Sequence, residues 1–347
     1  MNDQETAPRE PIALLDAEAL ASAALRQAGL EDNAAQIVAR TFTYAERDGI
    51  ASHGLARIPG LCETIRSGRV AANAKIKVTR PLSGLIRADA DGGFPQPAFE
   101  AAFEEVIKAV EETGIACLSI CNGWAADVMG WHVERFAERG YIALGFANVP
   151  AAIAPAGGSR PVFGTNPVCC ASPRAHGTPV VIDQASSVVA KSEVMEHAST
   201  GKPIPLGWAL DRDGKPTTDA SLALMGSMAP FGGYKGVGIA FIVELMTAIV
   251  SGSQLSLEAP PLAKADAPGA RISQTFIVPN PGTFAGEGWP NRVASIADAI
   301  SSQPGARLPG DRRIRARQKA NREGLAVPKA LLAKLRSLAG LTTSKDA

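Results

Sequence analysis

The sequence predicts an α+β fold, and three observations carry that prediction. Apolar residues at helical spacing dominate both ends of the chain. In the middle, short strand-like runs mix with helical stretches and are bounded by turn residues. No GxGxxG follows a strand and no GxxxxGK[ST] occurs, so a standard dinucleotide-binding βαβ unit is unsupported. Gly233-Tyr234-Lys235-Gly236-Val237-Gly238 has the wrong spacing for either.

The elements follow in order. Between Ile12 and Arg66, Leu14-Leu15, Leu20 and Ala24-Leu25, then Ala34 to Arg47, repeat with helical period, and Asp32 or Asn33 is the expected cap of the helix beginning near Ala34. Lys75 to Thr79 alternates polar and apolar residues and reads as a strand, with a second near Leu85-Ile86. Pro97 to Thr113 reads as a helix ending at Gly114, Ile115 to Ile120 as a strand, Val128 to Arg139 as a helix and Tyr141 to Asn148 as a strand. Ala151 to Asn166 is a loop rich in Gly and Pro, and Pro179 to Asp183 is a short apolar strand. Arg212-Asp213-Gly214-Lys215 is a turn, Val237 to Val250 a buried helix, Ser273 to Val278 a strand, and Asp311 to Leu338 a basic helical tail.

Composition narrows the class. At 347 residues, 46% hydrophobic and 20% charged, the chain is globular and long enough for one large domain or two ordinary ones. A net charge of +1 gives no reason to expect a nucleic-acid partner. The polar, acidic Met1 to Glu10 predicts no secretory signal, and the longest apolar run carries Glu244 and is too short for a bilayer. Five cysteines without a CxxC pair predict buried free thiols in a reducing compartment, hence a cytoplasmic protein.

The chemistry-bearing stretch is Ser52-His53-Gly54 with Arg57, where a helical pattern stops at Gly49. Imidazole titrates nearest neutrality, and a guanidinium grips a carboxylate with two parallel hydrogen bonds. The competing reading is a helix C-cap with a surface arginine. Gly157-Gly158-Ser159-Arg160 and Gly164-Thr165-Asn166-Pro167 permit close backbone approach to a ligand, or serve as tight connections. Asp183, in Asp183-Gln184-Ala185-Ser186-Ser187, either caps the next helix or touches a ligand, with the cap favoured. Glu193 alone reads as a solvated helix residue. Phe231-Gly232-Gly233-Tyr234-Lys235 feeds a helix N-terminus able to receive a phosphate, or is an ordinary helix start. Arg307-Leu308-Pro309-Gly310-Asp311-Arg312-Arg313 opens a basic helix whose charges read as a solvated face. His53, His132, His176 and His197 form no metal-ligand set, so no metal is expected.

From about Leu14 to Val327, these pieces resemble the type-2 malate/L-lactate dehydrogenase family, NAD(P)-dependent oxidoreductases that are not of the Rossmann type. The resemblance rests on Asp48-Gly49-Ile50-Ala51-Ser52-His53-Gly54 with Arg57, Gly157-Gly158, Gly164 to Pro167, Asp183 to Ser187, Gly207-Trp208-Ala209-Leu210-Asp211, and Phe231 to Gly236 followed by Glu244. Asp91-Gly92-Gly93-Phe94-Pro95-Gln96-Pro97-Ala98, Leu308 to Arg313 and the acid at 193 look most like the Δ1-piperideine-2-carboxylate/Δ1-pyrroline-2-carboxylate reductase branch, although that acid is Glu193 here and not Asp. Ala125-Ala126 stands where the family has a His-Phe pair that contacts cofactor and substrate.

The resemblance implies a helical domain of residues 10–72 with 311–343, and a mixed α/β region of 73–310 that binds cofactor and substrate. It implies reduction of a cyclic imino acid to L-proline or L-pipecolate, with NADPH as cofactor and NADH as the alternative. Ser52, His53 and Glu193 would be catalytic, and Arg57 and Thr165 would hold the substrate. Ala125, Ala126, Asp183, Gln184, Ala185, Lys191, Ser192, Tyr234, Lys235, Leu308, Pro309, Gly310, Asp311, Arg312 and Arg313 would line the cofactor. A homodimer is expected, with a small molecule as the other partner. The alternatives are a 2-hydroxy-acid dehydrogenase of malate, L-lactate or ureidoglycolate type, and a catalytically impaired family member.

Overall fold

The computed structural model describes residues 8–262 and 266–341. The chain divides into two compact units, Met1–Ala74 with Ile300–Ala347, and Lys75–Ala299.

In the first unit, strand β1 (Arg9–Ile12) pairs antiparallel with β12 (Leu325–Pro328). Helices α1 (Leu14–Gln27), α2 (Asp32–Arg47) and α3 (Ile58–Arg66) follow β1, while α11 (Asp311–Glu323) and α12 (Lys329–Leu338) flank β12. Leu20, Leu25, Val38, Phe42, Leu61, Leu332 and Leu335 are buried. Each such side chain stabilises the fold by about 1.5–3 kcal/mol. The cap of α2 is Glu31, whose carboxylate accepts from Ala34 N at 2.9 Å, rather than Asp32 or Asn33. Asp32 instead lies in the first turn, where the helix dipole favours a negative charge. The tail is not one helix. Gly324, at φ 80°, breaks it, and a Cβ there would stand 2.9 Å from the Ile12 carbonyl oxygen, so β12 closes against β1 only with glycine at this point.

The second unit is built on a seven-stranded mixed sheet in the order β2 (Lys77–Leu82), β3 (Leu85–Asp89), β4 (Ile115–Gly123), β11 (Ile272–Pro279), β5 (Ala143–Ala147), β6 (Val168–Ser172), β7 (Val180–Gln184). Only β3 and β4 run parallel, and α4 (Pro95–Thr113) crosses between them. Prolines in the first turn of α4 have no N–H to leave unpaired, and Gly114 at φ 77° ends the helix. Phe99 and Phe103 of α4, Trp131, His132 and Phe136 of α5 (Gly130–Glu138), and Phe276 of β11 form one aromatic cluster.

A smaller sheet, β10 (Ser227–Met228), β8 (Ala209–Leu210), β9 (Pro216–Thr217), packs with α6 (Lys191–Ser199) and α7 (Ala220–Met225) around Ile153, Val194, Ile204 and Met228. The remaining helices are α8 (Tyr234–Glu244), α9 (Pro281–Ala285) and α10 (Trp289–Ser301). The apolar run expected as one buried helix is not uniform, and only one side of it is buried, at Ala240, Val243, Thr247 and Ala248. After α8 the chain widens into a π-turn, Leu245–Ile249, and Phe241, Ile242, Leu245, Ile249 and Val250 are exposed. The segment is apolar on every side, but the single chain covers only one of them.

All five cysteines are free; Cys62, Cys121 and Cys169 are buried, and burial pushes the Cys62 thiol up to about 11. Among the described residues, no helix is long and apolar enough to cross a membrane.

Candidate active site

The first unit carries Ser52, His53 and Arg57 on two short 3₁₀ turns, Ala51–His53 and Leu55–Arg57, between α2 and α3. Gly54 joins the turns because nothing larger fits: a Cβ there would meet Glu46 Oε2 at 2.1 Å and Glu46 Cβ at 3.0 Å. Glu46 Oε2 in turn accepts from Leu55 N at 3.0 Å. Burial pushes the Glu46 carboxyl above its ordinary value, against the opposing pull of that hydrogen bond and of Arg9.

Ser52 Oγ lies 3.1 Å from His53 Nδ1. When Ser52 donates to Nδ1, the neutral ring carries its proton on Nε2. Arg57 is half-buried, and its Nε is a buried donor with no hydrogen-bond partner among the described residues. Such a group is costly to leave unmade, and a carboxylate satisfies it.

Beside these turns, Asp48 collects the arginines. Arg47 Nε donates to its Oδ1 at 2.7 Å, Arg317 donates from Nε at 2.9 Å and from its terminal nitrogen at 2.6 Å, and Arg313 Nε stands 3.8 Å from Oδ2. Burial alone would raise the Asp48 pKa, but the hydrogen bonds and charges of Arg317 and Arg47 outweigh it and hold the carboxyl below its ordinary value. Leu308 to Arg313 also belong to this unit. Asp311 spends its carboxylate on the Leu308 N–H at 2.9 Å, Gly310 takes φ 89° as the cap of α11, and Arg312 is exposed.

The second unit carries the other candidates. Asp183 lies near the end of β7, and its carboxylate accepts from Gly130 N at 2.7 Å. It therefore caps α5, an earlier helix brought alongside by the sheet, and not the helix that follows it in sequence. Gln184 is exposed and Ala185 half-buried. Lys191 opens α6, whose cap residue Ala190 offers no side chain to the first-turn N–H groups. Desolvation pulls the Lys191 ammonium below its ordinary pKa, although the residue is exposed. Ser192 Oγ is buried with no hydrogen-bond partner among the described residues. Glu193 lies in the same first turn. Gly233, at φ 64°, starts α8, and Tyr234 and Lys235 are exposed there.

Ala125 and Ala126 are buried in the connection from β4 to α5. Two buried glutamines hold that connection: Gln274 Nε2 donates to Ala126 O at 3.2 Å and Gln96 Nε2 to Asp127 Oδ2 at 3.1 Å.

Thr165 accepts from Ser186 N at 2.7 Å through its carbonyl, and the next residue, Asn166, is fully buried. A Cβ at Gly164 would stand 2.2 Å from Val149 O and 2.4 Å from Asn166 Oδ1. Asn166 Nδ2 donates to Ala240 O at 2.9 Å and to Glu244 Oε2 at 3.0 Å.

Ser52, His53 and Arg57 thus share one short stretch, while Thr165, Asp183 to Ala185, Lys191 to Glu193, Tyr234 and Lys235 belong to the other unit. Sequence reasoning missed Asp48 as an arginine anchor, the Gln96 and Gln274 clamps, and the Asn166–Glu244 pair. The only signal for the last was an acid inside an apolar run. Among the described residues, no group of three or more His, Cys, Asp or Glu could hold a metal ion.

A malate/L-lactate dehydrogenase family model matches residues 12–336. The (2R)-3-sulfolactate dehydrogenase (NADP(+)) of Chromohalobacter salexigens is 39% identical over 94% of this chain and 98% of its own. A Δ1-pyrroline-2-carboxylate/Δ1-piperideine-2-carboxylate reductase of Pseudomonas aeruginosa is 37% identical over 92% of this chain and 96% of its own. The crystal structure of Δ1-piperideine-2-carboxylate reductase from Pseudomonas syringae pv. tomato superposes with a TM-score of 0.90 at 33% identity, covering 95% of this chain and 99% of that one.

Proposed function

Because the chain belongs to the malate/L-lactate dehydrogenase family, we propose that it is an NAD(P)H-dependent oxidoreductase that reduces a cyclic 2-imino acid, Δ1-pyrroline-2-carboxylate or Δ1-piperideine-2-carboxylate, to L-proline or L-pipecolate. The observation that carries this reading is the buried Nε of Arg57, without a hydrogen-bond partner among the described residues, on the turn that follows the Ser52–His53 pair. A carboxylate held by that fork would sit beside a proton donor, which is what an imine α to a carboxylate requires. The reductases of that name at 34–37% identity support the choice of imine.

Bound NAD(P)H supplies the hydride. His53 delivers the proton from Nε2 to the imine nitrogen, and Ser52 with Glu193 is assigned to the relay that returns a proton to the ring at Nδ1, so the imidazole stays neutral. Arg57 takes the substrate carboxylate and Thr165 its rim. The chain's residues fit the cofactor: Ser192 presents a buried hydroxyl with no partner among the described residues, and Lys191 and the uncapped first turn of α6 favour an anionic group. Asp183 to Ala185, Tyr234, Lys235 and Leu308 to Arg313 complete the proposed contacts, with Ala125 and Ala126 lining the nicotinamide end. Lys191 and the arginines after Pro309 favour a 2′-phosphate, hence NADPH.

The working form is a cytoplasmic homodimer. Tyr234, Phe241, Leu245 and Ile249 lie along one stripe of α8 and its π-turn, with Tyr234 71% and Ile249 59% exposed. A soluble chain seldom leaves such a stripe bare, and the free thiols suit a reducing compartment.

His53→Ala tests the mechanism. It should lower kcat by about a hundredfold or more while NADPH still binds, since general acid catalysis contributes roughly that much. A variant with near-normal kcat would remove His53 from the mechanism.

A second reading, oxidation of a 2-hydroxy acid, is favoured by one observation, the sulfolactate dehydrogenase at 39% identity. Turnover with (2R)-3-sulfolactate and NADP⁺, in the absence of imine reduction, would establish it.

A further inference from the structure

Asn166 has φ 29°, a left-handed conformation that a non-glycine residue keeps only where its surroundings enforce it. One carboxylate organises that enforcement. Glu244 Oε1 accepts from Ser256 N at 2.6 Å, and Oε2 accepts from Ser256 Oγ at 2.7 Å and from Asn166 Nδ2 at 3.0 Å. With that carboxylate and the Ala240 carbonyl on one side, the Asn166 amide must turn its nitrogen toward them. Its Oδ1 then accepts from Val149 N at 3.2 Å, with Ser256 Oγ 3.3 Å away sharing its one proton mainly with Glu244. A flip would set donor against donor at Val149 and acceptor against acceptor at Glu244.

The same unit holds the neighbours. Ser186 N donates to Thr165 O at 2.7 Å, and Ser186 Oγ donates to Asn166 O at 2.8 Å. Glu244 itself stands where α8 gives way to the π-turn Leu245–Ile249, an insertion of a kind frequent at functional sites.

We infer that Glu244 is a positioning residue of the reaction: through Asn166 it fixes the backbone that presents Thr165, and through Ser186 it ties that loop to the Asp183–Ser187 segment. The inference rests on the reading of Thr165 as a substrate-facing residue. It does not make Glu244 a catalytic residue, because every hydrogen bond described for its carboxylate goes to the protein.

The test is Glu244→Gln, alone and with Asn166→Asp. The glutamine keeps one acceptor oxygen for three donors, so at least one of Ser256 N, Ser256 Oγ and Asn166 Nδ2 loses its partner and the clamp on Asn166 loosens. Adding Asn166→Asp returns an acceptor opposite the glutamine's amide donor and keeps one for Val149, but the Ala240 carbonyl loses its donor, so the rescue is partial. The single variant should raise the KM for Δ1-pyrroline-2-carboxylate by about tenfold, leave the NADPH Kd within about twofold, and speed hydrogen exchange at the Val149 amide; the double variant should recover part of the KM. An unchanged KM overturns the inference. So does a KM that moves together with kcat and NADPH Kd in step with lost thermal stability, which is the signature of a merely structural role. Should Glu244→Gln fail to fold, Ser256→Ala removes a donor from the same carboxylate and should give a smaller shift in the same direction. If the wild-type enzyme turns over only 2-oxo acids, the imine reading fails and the KM comparison is made with the active acid. If it turns over neither, the Val149 exchange rate decides, and a rate equal to wild type overturns the inference.

Discussion

His132 makes the fold sensitive to mild acid. Its ring is fully buried, packed edge-on to Phe99 at 4.5 Å and to Trp131 at 5.0 Å, and 5.5 Å from Phe276. Neither ring nitrogen has a hydrogen bond of normal geometry among the described residues. Burial first, and the Arg135 charge second, pull the pKa down to about 3, against weak opposition from the Val128 and Met129 carbonyls. The unfolded chain therefore binds a proton below about pH 6.5 that the folded chain refuses until about pH 3. Stability rises with pH across that window, so it is lost as pH falls from 6.5 toward 3. At pH 5 the loss from this group is about 2 kcal/mol relative to pH 7.5, from 1.36 kcal/mol per pH unit over 1.5 units. His132→Phe keeps the aromatic packing and removes the titration. Overpacking by the larger ring costs about 1 kcal/mol or more, and relief of two unpaired nitrogens offsets it. Urea unfolding at pH 5 and pH 7.5, at fixed protein concentration and ionic strength, compares the two proteins. The wild type should lose about 2 kcal/mol more than the variant between those values, because every other group titrates in both. Parallel losses within about 0.5 kcal/mol would refute the reasoning.

Two further outcomes follow from the geometry. Gly54→Ala should lower the thermal midpoint and cut turnover together, because a Cβ 2.1 Å from Glu46 Oε2 must displace either Glu46 or the 3₁₀ turns that carry His53 and Arg57; the loss should be about 2 kcal/mol, read by calorimetry, and an unperturbed midpoint would contradict it. Ile249→Glu places a charge in the exposed stripe of the π-turn, and on the dimer proposal sedimentation velocity should find a dimer for the wild type and a monomer for the variant; equal sedimentation of the two would remove that stripe from any interface.

Much of this molecule is legible in its sequence, and the limits have physical causes. Long periodic helices announce themselves: the α2 and α4 patterns repeat over four or five turns, and Gly114 ends α4 where the sequence has it end. The mixed sheet was expected, but not its order. β11 lies between β4 and β5, yet it is more than a hundred residues later in the chain than either, and nothing local in Ser273-Gln274-Thr275 marks a buried central strand. Its polar side chains are buried because the fold covers both faces, which is a tertiary fact. Asp183 fails in the same way, since its carboxylate serves a helix 53 residues earlier that only the sheet brings near. The exposed π-turn read as buried because hydropathy reports what a side chain avoids, not which surface covers it. The stretch around His53 was readable for the opposite reason. Serine, histidine, glycine and arginine lie within six residues, so their geometry is local, and the 3.1 Å contact between Ser52 and His53 needs no distant element.

The central claim is that this chain reduces a C=N bond beside a carboxylate. The direct measurement is loss of NADPH absorbance with Δ1-pyrroline-2-carboxylate, run beside pyruvate, oxaloacetate and 3-sulfopyruvate without amine. The account predicts fast oxidation with the imine and slow or no oxidation with the oxo acids. Oxidation with the oxo acids alone would contradict it and place the chain with the 2-hydroxy-acid dehydrogenases.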